Sequence, residues 1–67
     1  MDKRLREAER ALIRFLREHP DGATMEEILE GLGSRIDETD IRAAIWKALA
    51  DDAAGFRQNK LRELAVA

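Results

Sequence analysis

Few residues in this 67-residue chain could do chemistry, and their spacing limits what that chemistry could be. There is no cysteine and a single histidine, His19, so disulfides, thiolate metal sites and the usual two-histidine-plus-carboxylate constellations are excluded. Ser34 is the only serine, and no glycine-rich phosphate loop leads into a helix-like segment. The acidic pairs Glu26-Glu27 and Asp51-Asp52 are chain neighbours, which diverge on a helix, whereas acid-base catalysis needs carboxylates that converge across a cleft. His19 reads as the polar end of a helix, where positive charge complements the macrodipole. The expectation is a protein that is not an enzyme, with no catalytic residues, metal, cofactor or small-molecule substrate.

Charge and one tryptophan remain. The net charge of −2 is an average over unequal parts. Residues 1–17 hold six basic and three acidic groups (+3), residues 18–40 one basic and eight acidic (−7), and residues 41–67 five basic and three acidic (+2). Lys3, Arg6, Arg10, Arg14 and Arg17 recur at helical spacing. Such a stripe is either a solvated outer face or a track for phosphates or an acidic partner.

The elements that position these groups follow from periodicity. With 39% charged and 45% hydrophobic residues there is apolar material for one small core, so residues 1–67 are expected to form one domain. Leu5, Ala8, Leu12, Phe15 and Leu16 mark a helix over residues 2–18, ended at His19 by Pro20 and the turn residues Asp21-Gly22. Thr24-Met25-Glu26-Glu27 matches a capping box and opens a second helix with a buried stripe of Met25, Ile28, Leu29 and Leu32. Gly33 suits the left-handed residue that ends many helices. Asp37 announces a third helix, whose core stripe is Ile41, Ala44, Ile45, Ala48 and Leu49 and which stops near Asp52. Residues 56–66 read as two short strands around Asn59-Lys60, or, from Leu61, Leu64 and Ala65, as a hairpin replaced by a short helix. Phe15 and Phe56 are assigned to the core. No apolar stretch follows the basic start Met1–Arg6 that could serve as a signal or membrane span, so a cytoplasmic, membrane-free protein is expected.

This order of elements resembles the winged helix-turn-helix superfamily, a mainly α fold of three helices with a small β-hairpin. The likeness is carried by Ala11–Leu16, by Gly22–Leu29, by Asp37–Ile45 in the position of the recognition helix, and by Gly55-Phe56-Arg57 leading into the wing. It covers nearly the whole chain. The resemblance implies a third helix that enters the DNA major groove and a hairpin that touches backbone or minor groove. Relatives in that superfamily also serve as protein-interaction and dimerisation modules, so the site is argued separately from the fold.

Two functions are therefore expected in competition. The first is a small DNA-binding regulator using Arg35 and Thr39 at the start of the third helix, Arg42 and Lys47 along it, and Arg57, Lys60 and Arg62 from the hairpin. The second is a module for homodimerisation or for a protein partner, built on an outward strip of Ala43, Trp46 and Ala50. Trp46 itself is read either as that interface anchor or as a side chain covered by Phe56 or Leu64. A pI near 5.3 and the acids Glu26, Glu27, Glu30, Asp37, Glu38 and Asp40 weigh against strong non-specific DNA binding.

Overall fold

Ala8, Leu12 and Leu16, four residues apart, are all buried, which lines one side of a helix with apolar groups and lets it pack along its length. That helix, α1 (Lys3–Arg17), is followed by α2 (Met25–Leu32), α3 (Glu38–Ala50), β1 (Ala54–Arg57) and β2 (Lys60–Glu63) in the computed structural model, which describes residues 3–64. The fold is mainly α with a small antiparallel hairpin. None of these helices is long and apolar enough to cross a membrane.

The local signals act where they stand in the chain. The Thr24 hydroxyl accepts the Glu27 N–H at 3.1 Å while the Glu27 carboxylate accepts the Thr24 N–H at 2.8 Å, a complete capping box. Gly22 has φ of 93°, the left-handed value for which its lack of a Cβ suits it. Gly33 does not adopt that conformation. Its φ is −66°, and the chain continues through a further right-handed turn in which the Ile36 N–H donates to the Leu32 carbonyl at 3.0 Å. A Cβ at Gly33 would run into the Leu29 carbonyl oxygen, so close approach is what calls for glycine here. Asp37 is the N-cap of α3 by backbone geometry, but its side chain caps nothing. Its carboxylate accepts a 2.9 Å hydrogen bond from Arg4 instead, and the same Arg4 guanidinium lies 3.0 Å from Asp40. The start of α3 is thus tied to α1.

The core gathers Leu12 and Leu16 from α1, Ile28 and Leu32 from α2, Ile41, Ala44, Ile45 and Ala48 from α3, and Ala54 and Leu61 from the hairpin. No polar or charged residue is buried among the described residues. Phe15 and Leu49 are partly buried beside this cluster.

Residues 54–63 form the hairpin, with Ala54 opposite Glu63, Gly55 opposite Arg62, Phe56 opposite Leu61 and Arg57 opposite Lys60. The alternative of a helix from Leu61 is excluded for residues 61–63; Ala65 and Val66 lie outside the described residues. The turn falls one residue earlier than expected, on Gln58-Asn59, whose φ values of 53° and 67° are those a two-residue hairpin loop demands. A third segment joins the pair. Ala23, between α1 and α2, exchanges both backbone hydrogen bonds with Leu61, at 2.9 and 2.8 Å, and so fixes the hairpin against the helices. Phe56 is 50% exposed rather than part of the core. Burial fades along β1 from Ala54 towards the turn, because the strand runs out past the helices that cover its start.

Candidate functional site

The hairpin pairing decides where its cations point. Residues directly opposite each other share a face and successive residues alternate, so Arg57, Lys60 and Arg62 stand on one face. Ala54, Phe56, Leu61 and Glu63 occupy the other. The three cations border an open cleft of about 430 Å³ together with Pro20, Asp21 and Gln58. None of the three has an ion-pair partner among the described residues.

The cations expected on the third helix are placed differently. Arg42 and Lys47 are exposed, but each is engaged one turn away on its own helix: Arg42 with Glu38 at 2.8 Å, Lys47 with Asp51 at 3.0 Å. Lys47 also lies 3.9 Å from the Glu9 carboxylate, one oxygen of which is shielded from solvent with no hydrogen-bond partner. The bond to Asp51, and then the charges of Asp51 and Glu9, hold the Lys47 ammonium above its ordinary pKa of 10.5. Arg35 and Thr39 are exposed. Arg35 shares a small cleft with Arg4, Asp37 and Asp40, which places acids beside it. The structure therefore brings Arg57, Lys60 and Arg62 together, leaves Arg35 and Thr39 near the acidic start of α3, and sets Arg42 and Lys47 on opposite flanks of that helix, Lys47 on the side that faces Glu9 of α1.

Trp46 is 72% exposed, uncovered by Phe56 or Leu64, with Ala43 and Ala50 also exposed on the same outward side of α3. Leu64 lies instead against Gly55.

A second basic surface joins the first along α1. Arg10, Arg14 and Arg17 stand on successive turns and, with Glu9 and the half-buried Ile13, line a groove of about 450 Å³. Arg17 also borders a neighbouring cleft with Leu16, Pro20 and Glu63, and Pro20 in turn borders the hairpin cleft. The spacing of the arginines was legible as a stripe, whereas its continuity with the hairpin depends on a turn residue, Pro20, that carries no charge signal. Among the described residues no cluster of three or more histidines and carboxylates could hold a metal ion. Comparison with family models, characterised proteins and solved structures finds no match to this chain.

Proposed function

We propose that this chain is a small winged-helix protein that binds double-stranded DNA, with its hairpin as the leading contact. The supporting observation is the face formed by Arg57, Lys60 and Arg62, three cations with no ion-pair partner among the described residues. Cations already engaged by carboxylates must exchange one anion for another and gain little, whereas unengaged ones release condensed counterions from DNA at no such cost. Three helices followed by a hairpin clamped through Ala23 agree with the winged-helix resemblance. Base reading by α3 has weak support, since Arg42 and Lys47 are ion-paired and the outward positions are Thr39, Ala43, Trp46 and Ala50. The contacts proposed are to phosphates, which position a protein without reading sequence.

The test is fluorescence anisotropy of a labelled duplex titrated with protein at several salt concentrations. The logarithm of affinity falls linearly with the logarithm of salt, and Arg57→Ala lowers that slope by about 0.9 for one lost phosphate contact. Absence of binding at about 50 mM salt, where this electrostatic contribution is strong, ends the reading.

A second reading rests on Trp46. A tryptophan 72% exposed between two exposed alanines is the kind of anchor that interfaces bury, and it would serve a homodimer or a protein partner. Sedimentation at rising concentration, read with the emission of this single tryptophan, tests the homodimer: association gives a larger mass and a blue shift.

A further inference from the structure

We infer that duplex DNA lies along a track formed by α1 and the hairpin, and that α3 stays outside the groove. The inference rests on the DNA-binding reading and specifies its surface. Three adjoining clefts carry the argument: the α1 groove bordered by Arg10, Arg14 and Arg17, the cleft beside Leu16 and Pro20, and the hairpin cleft bordered by Arg57, Lys60 and Arg62. Each shares a residue with the next, Arg17 in one case and Pro20 in the other. Six cations thus border three adjoining clefts, five without an ion pair among the described residues and Arg17 paired with Glu63, against three carboxylates, Glu9, Asp21 and Glu63.

The carboxylates do not cancel it. Glu63 is occupied by Arg17, and one Glu9 oxygen is turned away from solvent towards Lys47 on α3. Arg10 and Arg14, like the hairpin cations, have no ion pair among the described residues. By contrast α3 carries Glu38 and Asp40 in its first turn and Asp51 as its C-cap, and both of its cations are engaged. A polyanion is attracted to the unpaired cations of the first surface, whereas on α3 each cation is already matched by a carboxylate.

The dimensions agree with a backbone track. At about 1.5 Å per residue Arg10 and Arg17 are about 10 Å apart along α1. Contacts of this kind follow the phosphates and are indifferent to base sequence.

Two variants of the full chain, Arg10→Ala with Arg14→Ala on α1 and Arg42→Ala on the flank of α3 away from Glu9, are compared with wild type on a labelled duplex of about 20 base pairs across a salt series. All three residues are exposed, and circular dichroism checks that each variant is folded. The expected result is a slope lowered by about 1.8 and an affinity about tenfold weaker for the α1 variant, with the α3 variant within about twofold of wild type. Duplexes of unrelated sequence bind alike, and Trp46 emission is unchanged at saturation. If the α3 variant loses affinity while the α1 variant keeps it, or if DNA quenches or shifts Trp46, the track is wrong and α3 is the contact. If Arg57→Ala weakens binding and the α1 variant does not, the hairpin reading stands alone and the track falls. If wild-type protein binds no duplex, the DNA-binding reading falls with it.

Discussion

The Arg17 Nε donates to both carboxylate oxygens of Glu63, at 3.1 and 3.0 Å, across 46 residues of chain. This pair ties the end of α1 to β2 and places a carboxylate beside the basic groove. Arg17 is 68% exposed, so water screens the interaction and its contribution to stability is below about 1 kcal/mol. Glu63→Gln therefore leaves the urea midpoint almost unchanged. It releases Arg17 for a phosphate, and the salt slope for duplex binding rises by up to about 0.9, read by the same anisotropy titration.

Leu61 joins the hairpin both to the core and to the segment between α1 and α2. Its side chain is fully buried in the core and its backbone is bonded in both directions to Ala23. Leu61→Ala keeps the backbone bonds and opens a cavity, at a cost of about 2–5 kcal/mol. In a chain this small that is a large share of the total, and the variant is expected to show a sharply lower midpoint in thermal and urea unfolding.

Gly31 lies on α2 where a Cβ would collide with the Phe15 ring, itself stacked on His19 with centroids 4.2 Å apart. Alanine is the better helix former by about 1 kcal/mol, but overpacking costs about 1–3 kcal/mol. Gly31→Ala is expected to be net destabilising because moving the ring also disturbs the stack. A lower urea midpoint at constant m-value checks it; a more stable variant would show that Phe15 yields easily.

Glu27 links stability to pH through the capping box. Its carboxyl is held below its ordinary 4.5, first by the Thr24 backbone N–H it accepts and then by the Thr24 hydroxyl, with Lys60 and His19 adding attraction. A depressed pKa in the folded state means that this contribution is complete above 4.5 and is lost as pH falls through the folded value. Glu27→Gln retains an oxygen for the Thr24 N–H and does not titrate. The stability difference between wild type and Glu27→Gln is expected to favour wild type at neutral pH and to shrink in acid, measured by urea unfolding at a series of pH values.

Trp46→Ala is expected to change stability by no more than about 0.5 kcal/mol, because little of the indole is buried. Ready quenching of native Trp46 emission by acrylamide gives the same information without a substitution. A strongly destabilised variant would mean that the indole contributes to packing after all.

Much of this protein is written in short stretches of its own chain. The apolar stripes of α1 and α3, the Thr24–Glu27 box and the break before Pro20 each depend on residues within a turn or two, where geometry is set by the backbone itself. The hairpin was legible in kind, but its turn was misplaced by one residue because Gln58 adopts positive φ less readily than the Asn59 beside it and gives no signal of doing so. What needed the tertiary structure was every question of which surfaces meet. Packing of α1 and α3 through their apolar sides leaves Trp46 outside, and the hairpin carries Phe56 beyond the core. Arg17 reaches Glu63 and Arg4 reaches Asp37 over distances in the chain that no local pattern spans. The reason is physical: periodicity tells which side of an element is apolar, but polar faces are brought side by side by the docking of elements, and a charge acquires its partner or remains open to one only when that docking is complete.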